Sequence, residues 1–389
     1  MRIIGLSPKG VFSGFETSFF GALRAQGAEL EAVSIESPAF KVLCTVAAVH
    51  PVKRTWGLRR DRLYFLSPEG FRIKSGMAAA AVGRLQGRHD LIYQVGSLWN
   101  PIPRQGTSLP LVLQVDYTTV LANRRGAEWK VGNKRWLDFW LAAERRLYEE
   151  AAIVLTTTEN ARRSILDDYG IAPDHVVTVG AGVSPPYGGP ENGGPENSGP
   201  EGCRFPDYDG RRILFVGKGF KGKGLDTLLA AFQRVREKIP GARLTVVGPT
   251  QPVSGDHVDY LGRIADRNAV RELYYRHAVF AMPSLFEPLG QVFLEAMACK
   301  LPCIGTTLDA MPEMILDGRT GYTIEPGNAE MLAGHLVRLL ENPDLARQMG
   351  TAGYELLGER FTWRTVGDAI MRECRKTLTA EQRGQRKEA

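Results

Sequence analysis

The sequence lacks several features that would indicate particular classes of protein. It has 389 residues and no uninterrupted run of about 18 apolar side chains, which excludes a membrane-spanning helix. It begins MRIIGLSPKG, without an apolar signal core and a small-residue cleavage site, so we do not expect secretion by that route. The five cysteines and six histidines show no zinc-ligand spacing. We therefore expect no metal site, and reduced thiols in a cytoplasmic protein.

The composition is that of a folded protein with more than one core. Hydrophobic residues make up 43% and charged residues 24% of the chain, which excludes a disordered or fibrous protein. A single core rarely extends beyond about 250–300 residues, so the length predicts two domains. The 43 glycines suggest many tight turns, or backbone that approaches a ligand closely.

Positive charge is distributed unevenly along the chain. The formal net charge is +6, and residues 1–185 contain 23 Lys and Arg against 17 Asp and Glu, so the whole excess lies in this part. It is densest between Lys53 and Lys74, and includes Arg59 and Arg60. Such a patch could meet a phosphorylated acceptor, a nucleic acid or an anionic membrane, or it could be a solvated face.

Short apolar runs alternate with helical patterns in both halves of the chain. We expect strands at 2–6, 30–35, 63–66, 91–96, 109–116, 152–158, 176–182, 211–217, 243–248, 257–262, 277–283, 301–306 and 321–324. Continuous apolar runs between helices are typical of parallel strands covered on both faces. The pattern predicts an α/β protein with two doubly wound Rossmann-like domains that face each other across a cleft. The helical stripe at 133–151 is expected to cover a sheet.

A glycine- and proline-rich repeat near the middle of the chain suggests where the domains divide. Residues 188–202 read GGPEN, GGPEN, SGPEG, which cannot build a core. The predicted organisation is a first domain, a linker, a second domain, a C-terminal helix and a polar tail. Their boundaries are 1–187, 188–204, 205–358, 359–378 and 379–389.

The glycine-rich loop after the 211–217 run fits neither of two common nucleotide sites. Gly217, Gly219 and Gly222 match G-x-G-x-x-G, but the next strand run ends without the acidic residue that a dinucleotide site needs. The loop also contains G-x4-G-K, but Gly224 stands where a P-loop carries the Ser or Thr that binds magnesium. Both assignments are therefore disfavoured.

The loop nevertheless has the properties of a phosphate site. It opens a helix near Leu225, where free backbone N–H groups and the helix dipole favour an anion. Lys218 and Lys223 add two positive charges next to the turn at Gly217. These residues predict a site for a diphosphate.

The segment PSLFEPLGQVFLEAMACK carries two glutamates eight positions apart. A helix is expected to begin near Leu289, with an apolar stripe that includes Phe293 and Met297. Glu295 falls about 130° away from that stripe, and Glu287 lies in the preceding loop. Both carboxylates could therefore line a site at the strand ends and accept hydrogen bonds from sugar hydroxyls.

This segment resembles the E-x7-E signature of retaining sugar-nucleotide glycosyltransferases of the GT-B type, in family 4, also called glycosyl transferases group 1. FVGKGFKGKGLDTLLAAF is similar to the phosphate loop of that family. MPEMILDGRTGYTIEPGN is similar to the segment that follows the signature in the family's sequence pattern. The resemblance covers most of residues 150–375 and is weak across 36–108. It implies that Lys223 and Lys218 contact the donor diphosphate and that Glu287 binds the donor sugar, near the backbone N–H groups of Leu289 and Gly290.

The resemblance implies that 1–187 is the acceptor-side domain and 205–358 the nucleotide-sugar-binding domain, and that the helix at 359–378 packs back on the first domain. It also implies further site residues in both halves. Glu295 would bind the nucleotide ribose, and Gly262 and Arg263 would lie beside the base. In the first half, SPKGVFSGFETSFFGAL is similar to the glycine loop that faces the diphosphate, with Gly14 the best match and Gly10 a weaker one. Val115 stands where many relatives have His, so Asp116 could be structural.

The resemblance implies a retaining glycosyltransferase that moves a sugar from a UDP- or GDP-sugar to a hydroxyl of a glycan, a lipid-linked sugar or another acceptor. No cofactor is expected, no metal is required and no nucleic acid is bound. The expected location is cytoplasmic, with a peripheral contact to the inner face of the membrane. Two alternatives remain open: a sugar-nucleotide epimerase of the same architecture, and a non-catalytic sugar-nucleotide-binding subunit.

Overall fold

The computed structural model describes residues 1–8, 15–127, 129–184, 186–187 and 205–388. The chain divides into two compact units, the first made of Met1–Val179 and Val366–Ala389 and the second of Gly180–Thr365. The division falls between Val179 and Gly180, before the glycine- and proline-rich repeat. The repeat itself, residues 188–202, lies outside the described residues. Among the described residues, no helix has the length and apolar character needed to cross a membrane.

The first unit is built on a six-stranded parallel sheet with the strand order β2-β1-β3-β4-β5-β6. Its strands are β1 (Arg2–Ser7), β2 (Glu29–Ser34), β3 (Leu91–Val95), β4 (Leu111–Val115), β5 (Ile153–Thr156) and β6 (Val176–Thr178). All residues of β3, β4 and β5 are buried, as the uninterrupted apolar runs predicted.

Within the described residues, seven helices and most of an eighth belong to this unit. They are α1 (Phe15–Ala25), α2 (Pro38–Ala47), α3 (Lys53–Leu66), α4 (Pro68–Leu85), α5 (Thr119–Arg125), α6 (Lys134–Glu150) and α7 (Glu159–Tyr169). Short 3-10 helices lie at Gln86–Arg88 and Pro173–His175. The predicted cover helix is confirmed in α6, where Trp140, Leu147 and Tyr148 are buried.

The second unit contains another six-stranded parallel sheet, with the order β12-β11-β10-β7-β8-β9. Its strands are β7 (Arg212–Val216), β8 (Arg243–Val247), β9 (Val258–Gly262), β10 (Val279–Ala281), β11 (Cys303–Thr306) and β12 (Gly321–Ile324). Its helices are α8 (Leu225–Lys238), α9 (Arg267–Tyr275), α10 (Gln291–Ala298), α11 (Met311–Met314), α12 (Ala329–Glu341) and α13 (Pro343–Arg360), with a 3-10 turn at Tyr208–Gly210.

The strand order of the second unit positions the candidate site. The chain runs from β7 outward to β9 and then returns to place β10 on the other side of β7. In such sheets, ligands bind beyond the carboxyl ends of the strands at this point of reversal. The two loops that leave β7 and β10 here carry the lysines and Glu287, respectively.

The last helix, α14 (Trp363–Glu388), belongs to the first unit from Val366 onward. A Cβ at Gly367 would lie 3.1 Å from the Ala22 carbonyl oxygen, so α14 packs closely against α1. Glycine at this position allows the two helices to approach.

One predicted strand is wrong. Leu63 to Leu66 form the last turn of α3 rather than a strand. A run of four apolar residues fits a buried helix as well as a strand, and periodicity cannot separate the two. Ser67 then caps α4 by accepting a hydrogen bond from the Gly70 N–H, so the two helices follow each other directly. The other twelve runs each contain a strand.

Candidate active site

The loops after β7 and β10 pass each other at Gly224. This residue has φ of +68°, and a Cβ there would lie 1.8 Å from the Pro283 carbonyl oxygen, so only glycine fits. The Leu285 N–H donates to the Gly222 carbonyl at 3.0 Å, and the Ser284 hydroxyl lies 3.0 Å from the same oxygen. These contacts fix the glycine-lysine loop against the loop that carries Glu287.

Lys223 is thereby placed directly on Glu287. Its Nζ donates to Oε2 of Glu287 at 2.8 Å and to the Phe286 carbonyl at 3.1 Å. The lysine side chain is 24% exposed and the glutamate side chain 11% exposed, so solvent screens this ion pair only in part. Two residues that the sequence assigned to diphosphate and sugar are thus in direct contact.

The orientation of Glu287 is determined by its neighbours. Its Oε1 accepts a hydrogen bond from the Gly290 N–H at 2.9 Å, and its own N–H donates to Oδ2 of Asp309 at 3.1 Å. Asp309 is buried and has φ of +51°, an unusual conformation for a residue other than glycine. Sequence reasoning missed Asp309, because nothing in its local pattern marks it as a neighbour of Glu287.

The helix after Glu287 begins later than predicted. It starts at Gln291 rather than near Leu289, because Gly290 takes a left-handed conformation at the N-cap, with φ of +74°. Leu289 is half-buried in the preceding loop. Every residue from Phe293 to Ala298 is buried, so α10 has no solvent-facing side in this stretch. Although Glu295 lies off the predicted stripe, it is therefore buried too.

Glu295 is held by two partners from α9. Oε1 accepts a hydrogen bond from the Arg267 guanidinium at 2.6 Å, and Oε2 accepts one from the Tyr274 hydroxyl at 3.2 Å. Burial raises the pKa of the Glu295 carboxyl, while Arg267 and Tyr274 oppose this effect. Arg267 was also missed from the sequence. Its position at the start of α9, beyond the Gly262–Arg263 segment, is the only sequence signal for it.

Glycines join the loops that follow β7, β8 and β9. The Gly217 N–H donates to the Val247 carbonyl at 2.9 Å, and the Gly248 N–H donates to the Gly262 carbonyl at 2.8 Å. Gly248 has φ of +112°, and a Cβ there would lie 2.5 Å from the Gly217 carbonyl oxygen. Lys218 and Arg263, which follow Gly217 and Gly262, both have exposed side chains near this edge of the sheet.

The candidates in the first unit lie on separate elements. Gly10 and Gly14 fall outside the described residues. Asp116 directly follows β4, and burial raises the pKa of its carboxyl to about 6. Arg59 is exposed on α3, and its neighbour Arg60 forms an ion pair with Asp61 at 2.7 Å.

A buried carboxylate in α6 supports the loops next to Asp116. Glu144 accepts hydrogen bonds from the Ser97 hydroxyl at 2.8 Å, from the Thr119 N–H at 3.1 Å and from the Tyr169 hydroxyl. Burial raises the pKa of its carboxyl. Sequence reasoning missed this residue, although it stands four positions after Trp140 and four before Tyr148, within the apolar stripe. A glutamate in such a stripe indicates a buried polar partner.

Comparisons with known proteins show what the sequence around these residues resembles. Residues 210–342 match the family described as glycosyl transferases group 1. The alpha-maltose-1-phosphate synthase of Mycolicibacterium smegmatis is 28% identical over 279 residues, which cover 64% of this chain and 69% of the synthase. The GDP-mannose-dependent alpha-(1-6)-phosphatidylinositol monomannoside mannosyltransferase of the same organism is 32% identical over 167 residues, or 37% of this chain. The chain spans 42% of that enzyme.

A solved structure extends the likeness to the whole fold. The sucrose-phosphate synthase of Thermosynechococcus elongatus superposes with a TM-score of 0.68 at 20% identity, covering 98% of this chain and 100% of the synthase chain. Such a likeness at low identity supports the architecture of two parallel six-stranded sheets with flanking helices. The chain therefore has the GT-B fold, and the part of it that contains Lys223 and Glu287, residues 210–342, matches the group 1 glycosyltransferases.

Proposed function

We propose that the protein is a retaining glycosyltransferase that moves a sugar from a nucleoside diphosphate donor to an acceptor hydroxyl. The observation that carries this proposal is the contact between the Lys223 ammonium and the Glu287 carboxylate, 2.8 Å apart at the point of strand reversal. A cation for the diphosphate and a carboxylate for the sugar hydroxyls are needed side by side, because the bond that breaks joins those two parts of the donor.

The lysines would stabilise the charge that develops on the leaving diphosphate. Lys223 stands just before α8, whose N-terminus adds a favourable dipole, and Lys218 lies on the exposed side of the same loop. In this proposal these groups do the work that a metal ion does in other transferases, so transfer requires no metal. The leaving phosphate would itself accept the proton of the attacking hydroxyl.

The remaining residues of the second unit would hold the nucleotide. Glu295 would bind the ribose hydroxyls, after an adjustment of its pair with Arg267, whose side chain is 53% exposed and able to move. Gly262 and Arg263 would lie beside the base, and the backbone of Leu289 and Gly290 beside the sugar. The mannosyltransferase relative is GDP-mannose-dependent by name, which supports a nucleoside diphosphate sugar as donor; we propose a UDP- or GDP-sugar.

The first unit would bind the acceptor, a glycan, a lipid-linked sugar or another hydroxyl compound. Gly10 and Gly14 would face the donor diphosphate, and Asp116 would lie near the acceptor hydroxyl. Arg59 and Arg60 would attract an anionic acceptor. The phosphatidylinositol monomannoside in the name of one relative supports a lipid-linked acceptor.

The proposal is tested by ligand binding followed by turnover. Thermal unfolding is measured with UDP, GDP and ADP and their sugars; a ligand present at 100 times its Kd should stabilise the chain by about 2.7 kcal/mol. The stabilising donor is then incubated with and without candidate acceptors. Transfer only with an acceptor, and with retained anomeric configuration, is the expected result. Conversion of the donor sugar without acceptor would indicate an epimerase, and binding without any turnover a non-catalytic subunit.

A further inference from the structure

Exposed apolar side chains are concentrated in one short segment of the first unit. Among the described residues, twelve large apolar side chains are exposed, and five of these fall within residues 42–52. They are 56–65% exposed: Val42, Leu43, Val46, Val49 and Val52. Val42, Leu43 and Val46 lie on one side of α2, and Val49 and Val52 lie in the segment between α2 and α3; we call these five side chains the apolar stripe.

The stripe belongs to a fixed helical hairpin rather than to a frayed segment. On the opposite face of α2, Cys44 is buried, and Ala48 is buried just after the helix. The Trp56 indole N–H of α3 donates to the Thr45 carbonyl of α2 at 2.7 Å, and the Ser37 N–H donates to the Tyr64 hydroxyl at 3.0 Å. The α2–α3 hairpin is thus anchored on its inner side, and its outer side presents the apolar stripe to solvent.

Basic residues accompany the apolar stripe along the chain. Between residues 38 and 74 there are eight Lys and Arg against two Asp and Glu. Lys53 and Arg59 have exposed side chains and directly adjoin Val52 and Leu58, which are exposed as well. Lys41 instead places its ammonium over the ring of Tyr64, 5.9 Å from the ring centroid. An apolar stripe bordered by cations is the arrangement by which a helix lies in the interface of a bilayer that contains anionic lipid.

We propose that the outer face of the α2–α3 hairpin docks on an anionic phospholipid bilayer, with Val42, Val46 and Val49 inserted at the level of the headgroups. Lys53 and Arg59 then lie at the phosphate level. A second copy of the chain fits this face less well, because a two-fold interface sets each basic side chain against the same kind of charge on its partner. The bilayer instead supplies the opposite charge along the whole border.

The proposal is tested by sedimentation of the full chain with sucrose-loaded vesicles, without any donor or acceptor. The probes are vesicles of phosphatidylcholine alone and of phosphatidylcholine with 30% phosphatidylglycerol. The apolar variant carries Val42→Ser, Val46→Ser and Val49→Ser; the charge variant carries Lys53→Ser and Arg59→Ser. A control carries Met331→Ser and Lys238→Ser, one exposed apolar and one exposed basic residue of the second unit. Circular dichroism and thermal unfolding show whether each variant folds.

The wild type should bind the anionic vesicles at least tenfold more tightly than the neutral ones. The apolar variant should bind at least tenfold more weakly, the charge variant should lose most of the preference for anionic lipid, and the control should match the wild type. As salt rises from 0.05 to 0.5 M, the preference of the wild type for anionic vesicles should fall, because salt screens the attraction of the basic side chains to the lipid phosphates. Binding that depends on the apolar side chains alone should not weaken. Equal binding of the folded variants and the wild type would overturn the proposal, as would wild-type binding to neither vesicle. A wild-type dimer in sedimentation velocity that the apolar variant loses would assign the face to a second copy instead.

Because vesicle binding is measured without a sugar donor, its failure leaves the proposed transfer reaction untouched. Conversely, a chain that binds vesicles but transfers no sugar would refute the proposed function alone.

Discussion

The pair formed by Lys223 and Glu287 leads to a prediction that separates the roles of the two residues. Glu287→Gln should tighten the binding of a free nucleoside diphosphate while it slows sugar transfer. The wild-type carboxylate attracts the lysine ammonium at 2.8 Å and would repel a diphosphate bound to the same ammonium. Glutamine keeps the size and one oxygen acceptor but removes this negative charge.

The magnitude follows from the distances. A phosphate oxygen at about 2.8 Å from the Lys223 Nζ would lie within about 6 Å of the Glu287 carboxylate. At an effective dielectric constant of about 20, two unit charges at this separation repel by about 3 kcal/mol. Since the two side chains keep 24% and 11% exposure, solvent should reduce this to about 1–2 kcal/mol. The affinity for the diphosphate should therefore increase about 5- to 30-fold.

The assay is isothermal titration with UDP and GDP, with transfer rates measured on the same preparations. Loss of the charged hydrogen bonds to the sugar should lower transfer by about 10- to 100-fold. Glu330→Gln, an exposed glutamate of α12, is the matched control and should change neither quantity. Unchanged or weaker diphosphate binding in folded Glu287→Gln would refute the assignment of Lys223 to the diphosphate, whatever happens to transfer.

Three further substitutions test other parts of the structure. Lys223→Ala should weaken nucleoside diphosphate binding by about 1.5–3 kcal/mol in titration calorimetry, whereas Lys238→Ala should not change it. Gly224→Ala should destabilise the second unit by at least about 3 kcal/mol in denaturant unfolding, because its Cβ meets the Pro283 carbonyl at 1.8 Å; Gly241→Ala, with open space around it, is the control. Burial lowers the pKa of Lys74 to about 8, so below pH 8 the folded chain holds a buried charge that costs stability. Lys74→Met should therefore stabilise the first unit at pH 7 by about 1–3 kcal/mol, and this gain should fall between pH 8 and 10.5, where the folded lysine is neutral and the unfolded lysine becomes progressively easier to deprotonate. An equal gain at pH 7 and pH 10.5 would contradict the assignment.

Most strands could be predicted because their burial is visible in the sequence itself. Strands covered on both faces must be apolar at successive positions, and β4 and β8 show such runs bounded by glycine, proline or charge. The 63–66 run failed for the same reason, since Tyr64 is buried by helix packing and not by a sheet. Local composition reports burial more directly than it reports the element that causes it.

The site residues could be predicted as separate motifs but not as contacts. Lys223 and Glu287 are 64 positions apart, and their contact depends on a strand order that brings β7 and β10 together. Asp309 and Arg267 reach the two glutamates from other elements, with no motif of their own. Glu144 was recognisable only as a charge within an apolar stripe, and the identity of its partners depended on the loops beyond β3 and β4.

The pairing of both glutamates with cations has a physical cause that the spacing between them does not reveal. Glu295 and Glu287 are both buried, and a carboxylate at such burial is stable only with a cation or several hydrogen-bond donors. Arg267 and Lys223 meet this need within the second unit itself. Each carboxylate is thus already oriented, which in the proposed reaction would reduce the entropy that binding of a sugar hydroxyl must overcome. The same cations would then have to share their carboxylates with the proposed donor, so the affinity for the nucleotide would depend on how readily Lys223 and Arg267 change partners.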